Sequence, residues 1–380
     1  MNIRDKVAVV GVGCSKFAEH YDRSSEDLIV DAAAEALADA KVGRDRIQAA
    51  WVGTIESGFA GTALADALKL YDIPITRVEN YCASGMDAFR NACMAVAAGM
   101  YDCVLALGFE KLRDSGRRGL GTFGNHPVVG YGTTAPSLFA MAATRYMKTY
   151  GVGKEALAKV AVKNHHNGAH NPKAHLQMEV TAEQVLKAPM IAWPFGLFDC
   201  CPTTDGAAAA ILCRADLARR FRKPPVPVKG FGLAVATGRP YFDPTFDYLG
   251  FRSTQAAAKQ AYAMAGIAAR DIDFAEVHDC FTWTEISNTE DLGFCAKGEG
   301  GRLVEDGRTA LGGDIPINPS GGLKSFGHPI GASGVRMIYE CVTQLRDEAG
   351  ERQVRDAELG LAHNVGGPGA VSCVVVLGRS

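Results

Sequence analysis

Four blocks of the chain carry residue types at spacings that suit nucleophilic and acid–base chemistry. Cys82 follows an extended stretch at 74–79 and opens a helix over 84–98, closed by Gly99. A thiol on a strand-to-helix turn meets the positive end of the helix dipole, which lowers its pKa and favours the nucleophilic thiolate. A small buried residue in a turn is the plainer alternative. The run 318–334 is a dense Gly/Pro loop that delivers one imidazole, His328, and then starts a helix. Val277-His278-Asp279-Cys280-Phe281 puts a second imidazole and a second thiol at a strand end, where α/β folds place ligand-binding groups. His363-Asn364-Val365-Gly366-Gly367-Pro368-Gly369 forms a turn after a strand at 359–362, and its N–H groups can serve an oxyanion. A cysteine facing a histidine is what thiolate activation requires. No further ligands stand at zinc-site spacing beside His278 and Cys280, so no metal is expected.

The elements that must hold these residues repeat. An alanine-rich helix, Ala40, a polar turn, Ile47 and a short strand are answered 225 residues on by a second alanine-rich helix, Ala265, a polar turn, Ile272 and a strand. Ala83-Ser84-Gly85-Met86 is answered 249 residues on by Ala332-Ser333-Gly334-Val335. The second copy therefore carries 24 more residues, which fall between Phe281 and Gly327. Two matches in the same order imply a duplicated α/β unit, with Gly331 standing where Cys82 stands and the two turns facing across a pseudo-twofold axis. Strand–helix alternation of this kind points to parallel sheets covered by helices. The reading divides the chain into an N-terminal half at 1–229, which includes a loop domain at about 111–229, and a C-terminal half at 230–380. Long insertions on a rigid scaffold are where substrate-binding loops live.

Composition narrows the class. Forty basic residues against 42 acidic ones leave a charge of −2, which argues against a nucleic-acid footprint. With 47% hydrophobic residues the chain can bury a large core. Eleven cysteines, an odd number with no C-x-x-C pair, read as reduced thiols in a cytoplasmic protein rather than a disulfide framework. The stretch 359–378 lacks formal charge but is broken by Pro368 and several glycines, which makes it a poor membrane span. Glycine, at 43 of 380 residues, is above the usual level of roughly 7%. Much of the excess lies in the turns around Cys82, the loop ending at Gly334 and the turn 366–369. Gly119, Gly121, Gly124, Gly130 and Gly132, in the insertion, have no assigned role. Trp193, Phe195, Phe198, Tyr241, Phe242, Phe246, Tyr248 and Phe251 suit the lining of a bulky acyl pocket, or equally ordinary core. His165, His166, His170 and His175 read as polar loop residues rather than a metal cluster.

Together the C-A-S-G block at Cys82, the H-D-C-F block at 278–281, G-H-P-I-G-A-S-G at 327–334 and H-N-V-G-G at 363–367 resemble the thiolase family over essentially the whole chain, nearest to the sterol-carrier-protein type. The resemblance implies a five-layered α/β/α/β/α fold from two pseudo-symmetric halves, and a homodimer or homotetramer. It implies Cys82 as the acyl-accepting nucleophile and His328 as the group that takes its proton. His278 would complete the first oxyanion hole, the amides of Cys82 and Gly366 the second, and Cys280 would be the acid/base toward carbon. Coenzyme A is the implied co-substrate, with no tightly bound cofactor. Ordinary thiolases carry N-E-A-F where this chain has H-D-C-F, and a C-x-G cysteine where it has Asn364-Val365-Gly366, so Cys280 stands in for the lost thiol. Related aldolases of this fold lack the nucleophilic cysteine, which Cys82 argues against here. The implied reaction is thiolytic cleavage of a 3-oxoacyl-CoA, with bulky, branched or aromatic acyl groups of the benzoylsuccinyl-CoA type as candidates. The alternatives are a Claisen-direction synthase working with a small OB-fold, zinc-ribbon partner, and a non-catalytic acyl-CoA carrier.

Overall fold

A computed structural model describes residues 3–115, 134–219, 221, 223–238 and 240–379. The glycines at 119–132 named above lie outside them. The N-terminal half contributes β1 (Val7–Cys14), α1 (Ser25–Ala40), β2 (Ala50–Gly53), β3 (Ile75–Val78), α2 (Ser84–Ala97) and β4 (Cys103–Glu110). After the insertion, which includes α3 (Lys154–Ala169), come β5 (Gly206–Arg214) and β6 (Val226–Val235). The second copy runs α4 (Arg252–Ala265), β7 (Phe274–Glu276), α5 (Thr282–Asp291), α6 (Gly322–Phe326), α7 (Ser333–Leu345), β8 (Leu359–Gly366) and β9 (Val371–Gly378). The strands follow the order β3-β2-β4-β5-β1-β6-β9-β8-β7. The two halves join where Ala8 and Val9 of β1 pair with Pro227 and Val226 of β6. The boundary read at 229/230 thus falls inside a strand, and β5, read as the end of the insertion, is a central strand of the first half.

Three packed cores stack the layers. α1 buries Leu28, Ile29, Ala32 and Ala36 against Val10, Val52 and Leu107 of the first half-sheet. α4 buries Ala257, Ala261 and Ala265 against Val374 and Val376 of the second. Between them α2 and α7 share one core with both half-sheets, through Met86, Phe89, Val335 and Ile338. The result is the expected helix–sheet–helix–sheet–helix sandwich. The duplicated helices end alike: α1 on Lys41 and α4 on Gly266, both in the left-handed conformation that stops a helix. The segment between Phe281 and Gly327 holds α5, a short helix at Gly300–Glu305 and α6.

The sheets are mixed, not parallel as expected. β2 runs parallel to β3 and β4, and β7 to β8, but β1–β5, β4–β5, β6–β9 and β8–β9 are antiparallel. The physical reason is the connections. β8 and β9 are joined by the short turn after Gly366, and a tight hairpin admits only antiparallel pairing. β5 enters from the long insertion, which is free to return the chain in the opposite sense.

The two turns that carry the candidate residues meet backbone to backbone. A Cβ added to Gly331 would lie 2.5 Å from the Gly53 carbonyl oxygen and 2.7 Å from that of Phe109. Facing it, a Cβ on Gly108 would lie 2.1 Å from the Gly331 carbonyl oxygen. No side chain fits there. Glu110, fully buried, ties the same contact from below: its carboxylate accepts from the N–H groups of Ile55, Glu56, Ser57 and Gly331 and from the Thr54 hydroxyl, at 2.9–3.1 Å.

Candidate active site

Cys82 is held by a strained and closely tied turn. Tyr81 has φ 52°, in the left-handed region that disfavours an aromatic residue. Asn80 N–H donates to Ser84 Oγ (2.8 Å), whose hydroxyl donates to the Tyr81 carbonyl (2.5 Å), while Tyr81 N–H donates to Glu79 Oε1 (2.6 Å). The turn leaves Cys82 just ahead of the first residue of α2, Ser84.

His328 lies between α6 and α7. The Ser333 hydroxyl donates to the Pro329 carbonyl (3.0 Å) and so accepts from His328 Nδ1–H (2.7 Å). That assignment of the network puts the proton on Nδ1 and leaves Nε2 a bare acceptor, buried and with no hydrogen-bond partner. His278 is set the opposite way. Asn364 Nδ2 donates to its Nδ1 at 2.8 Å, so Nε2 carries the hydrogen. Asn288 fixes the backbone there by donating to the His278 carbonyl (2.8 Å). The two rings stand edge to face, 5.2 Å apart. The Cys82 sulfur and one nitrogen of each imidazole all lie within 4.8 Å of one another. A base, a nucleophile and an N–H donor therefore converge on one point.

The protonation states differ from the sequence expectation. Burial pushes the Cys82 thiol up to about 12, against the pull of the Gly367 and Cys82 N–H groups, and Glu110 and Glu79 raise it further. Desolvation outweighs the helix end. Burial, then Arg336, lowers His328 to about 3; burial, then His328, holds His278 well below its usual value. Burial thus favours the neutral thiol and the neutral imidazole at this pair.

Cys280, 3% exposed, lies with its sulfur 3.9 Å from the Thr284 hydroxyl. Burial, then Cys201 and Cys82, raises its thiol well above the ordinary range. Gly366 sits at the end of β8, where an added Cβ would lie 2.4 Å from the Asn80 carbonyl oxygen. The amide that reaches the Cys82 sulfur belongs to Gly367, one residue further on.

Other candidate residues disperse. Phe195 is buried and stacks on Phe281 at 5.0 Å, and Phe251 packs on Trp283 in the core. Trp193 and Phe242 are exposed. Phe198 meets His165, and Phe246 meets Tyr248. The side chain of Tyr241 lies outside the described residues. Phe246 and Phe251 line a cavity of about 250 Å³ beside Pro368 and Gly369. His165 and His166 are on α3 rather than in a loop; His165 binds the Met178 carbonyl, His166 Glu179, and His175 the Thr204 hydroxyl.

The sequence reading missed Glu110, which carries no local signal, and the burial of Lys324 within the quoted loop.

Four buried histidines and the half-buried His175 make stability acid-sensitive. His165 and His175 are lowered to about 4, His328 and His363 to about 3, and His278 further below its usual value, with burial the first cause in each. Their folded pKa values lie below the unfolded value near 6.5, so the unfolded chain binds protons that the folded chain refuses. Stability is therefore lost as pH falls below about 6.5, by about 1.4 kcal/mol per pH unit for each histidine involved. Urea midpoints measured from pH 7.5 to 5 should fall steadily; a flat profile contradicts the buried neutral state.

The fold and the paired turns define an acyltransferase of the thiolase class. A thiolase N-terminal domain matches residues 7–191 and a thiolase C-terminal domain-like unit matches 239–379. The chain belongs to the thiolase family. It is 46% identical to an acetyl-CoA acetyltransferase of Methanothermobacter thermautotrophicus over 98% of this chain and 99% of that one. It is 36% identical to sterol carrier protein 2 of Bos taurus over 97% of this chain and 72% of that protein. Among solved structures, the Ltp2-ChsH2(DUF35) aldolase matches with a TM-score of 0.89 at 26% identity, over 99% of this chain and 98% of that one. Among the described residues no helix is long and apolar enough to cross a membrane.

Proposed function

We propose that the protein cleaves 3-oxoacyl-CoA esters by thiolysis, with Cys82 as nucleophile. The observation that carries this reading is that the Cys82 sulfur and one ring nitrogen each of His278 and His328 lie within 4.8 Å of one another. In the first half-reaction His328 Nε2 takes the Cys82 proton and the sulfur attacks the 3-keto carbon. The N–H groups of Gly367 and Cys82, which already point at that sulfur, are placed to receive the oxyanion. The carbon–carbon bond then breaks and expels a thioester enolate, whose oxygen accepts from His278 Nε2–H and from the protonated His328; Cys280 S–H protonates its carbon. In the second half-reaction CoA–SH gives its proton to Cys280, its sulfur takes the acyl group from Cys82, and the departing Cys82 thiolate recovers its proton from His328.

The same site runs in reverse as a Claisen synthase, and the substrate panel distinguishes the two. Branched or aromatic acyl groups are part of the proposal; the support is a cavity with Phe246 and Phe251 in its lining beside Pro368 and Gly369, in the turn that follows Gly367. A small companion chain of the OB-fold, zinc-ribbon kind is part of the proposal. It is supported by the solved neighbour at 26% identity, whose name joins Ltp2 to ChsH2(DUF35). The non-catalytic carrier has no use for this thiol–imidazole geometry. Incubation with straight, branched and aromatic 3-oxoacyl-CoA esters plus CoA, with products resolved by mass, should yield two acyl-CoA products from at least one ester. Absence of cleavage for every ester, with condensation of acyl-CoA in the same assay, would assign the synthase direction instead.

A further inference from the structure

The side chains that converge at the nucleophile are also a set of metal ligands. The Cys82 sulfur, one nitrogen of His278 and one of His328 lie within 4.8 Å of one another, and among the described residues no other three Cys, His, Asp or Glu side chains come together so closely. Each Nδ1 is engaged elsewhere, His278 with Asn364 and His328 with Ser333, so the two Nε2 atoms are left to face the sulfur. His328 is 1% exposed, and its Nε2 has no hydrogen-bond partner. The three ligands come from turns at 82, 278 and 328. No local spacing announces them, and the expectation of no metal, drawn from spacing, does not reach this site.

The surrounding groups are those a metal site needs. A ligating imidazole is held by a hydrogen bond from its other ring nitrogen to a fixed acceptor, which sets the ring and raises its basicity. His328 already has this arrangement: Nδ1–H donates to Ser333 Oγ at 2.7 Å, and the Ser333 hydroxyl is tied in turn to the Pro329 carbonyl. His278 reaches it by one rotation of an amide. Asn364 Oδ1 is buried without a partner, so turning the Asn364 amide over gives up only the bond from Nδ2. Oδ1 then accepts from His278 Nδ1–H, and Nε2 is bared. Asn288 meanwhile holds the His278 carbonyl in place. Zinc bonds of about 2.0–2.3 Å set tetrahedral nitrogen and sulfur ligands about 3.4–3.6 Å apart. The widest pair here must therefore close by up to about 1 Å, a movement within reach of rotation about the single side-chain dihedral of Cys82. Thiolate and imidazole select zinc over magnesium or calcium, which take oxygen ligands.

We propose that Cys82, His278 and His328 bind a zinc ion reversibly, and that the bound ion switches the enzyme off by occupying its nucleophile and its base. Three protein ligands leave the fourth tetrahedral position to water. The step balances: Zn²⁺ and the Cys82 thiol give a zinc thiolate and one proton, which passes to solvent, while both imidazoles bind as neutral ligands and nothing is oxidised or reduced. Zinc and an acyl group exclude each other, because both are held by the same sulfur. A rival place for the ion is the surface of α3, where the rings of His166 and His170 stand 4.9 Å apart beside Glu179 and Glu351. The binding stands on the geometry alone; the switching rests on the function proposed above.

The test equilibrates metal-free protein with zinc chloride in chelator-free buffer, counts the bound zinc, and maps the free thiols with iodoacetamide. Wild type should hold one zinc per chain that EDTA removes, and the ion should protect Cys82 from alkylation, a readout that needs no variant to fold. Cys82→Ala and His328→Asn should each weaken binding by more than about 100-fold, and Asn364→Asp, which sets a carboxylate on His278 Nδ1–H, should tighten it by about 10-fold. Cobalt in place of zinc should give a sulfur-to-metal charge-transfer band that Cys82→Ala lacks. A His166→Ala, His170→Ala double variant should keep the ion. Loss of the ion from that variant, or an unprotected Cys82 at full zinc occupancy, overturns the inference. With an ester that the metal-free protein cleaves, turnover should fall in proportion to the zinc bound and return with EDTA; full turnover at full occupancy also overturns it. Zinc on the Cys82 of a protein that cleaves no ester leaves the site standing and overturns the proposed function instead.

Discussion

A Cys82→Ala protein should fold and never carry an acyl group, and its turnover of any accepted ester should fall by about 10⁴-fold or more. The expectation follows from the geometry. His328 Nε2 has no protein hydrogen-bond partner, so with Cys82 removed it has no thiol to activate. The backbone N–H groups of Gly367 and Cys82, the proposed oxyanion donors, persist in this variant and would account for whatever rate remains. Loss of one sulfur atom from a turn already tied through Ser84, Glu79 and Asp87 should cost about 1 kcal/mol of stability. Loss of activity through unfolding would show as a lowered melting temperature, and would not count toward the mechanism. Full activity in a folded variant would remove Cys82 from the chemistry.

Cys280→Ala should divide the reaction where Cys82→Ala abolishes it. The Cys280 sulfur lies 3.9 Å from the Thr284 hydroxyl, and its carbonyl accepts from Cys201 N–H at 2.9 Å. Acylation of Cys82 by a simple acyl-CoA needs no proton at carbon, and CoA can leave as a stabilised thiolate without one from Cys280, so acylation should be slowed far less than cleavage. Carbon–carbon cleavage, which needs a proton at carbon, should drop by about 10³-fold or more. Stopped assays that follow the mass of the protein and the disappearance of the 3-oxoacyl ester separate the two steps. Parallel loss of both would make Cys280 a packing residue.

The fold and most of the candidate site were legible because the relevant residues lie in short local motifs. Cys82, His278, Cys280 and His328 each sit at a strand or helix boundary marked by Gly, Pro or a small residue. The internal repeat set the two turns against each other before any coordinate was known. Three features resisted. Strand direction depends on how the insertion and the final hairpin return the chain, so the parallel expectation failed at β5, β6 and β9. The charge state of Cys82 depends on burial, which the dipole argument left out. Glu110 acts through a partner distant in sequence, since its carboxylate reaches Gly331 N–H. The glycine excess is explained in part by the same geometry, since Gly108 and Gly331 permit a contact that any side chain would block.

The measurement that bears most directly on the central claim is the intact mass of the protein after brief exposure to 3-oxoacyl-CoA esters without free CoA, followed by peptide mapping. The account expects one acyl group per chain, located on Cys82, that disappears when CoA is added. No adduct with any ester that is nonetheless cleaved, or an adduct confined to another cysteine, would contradict it.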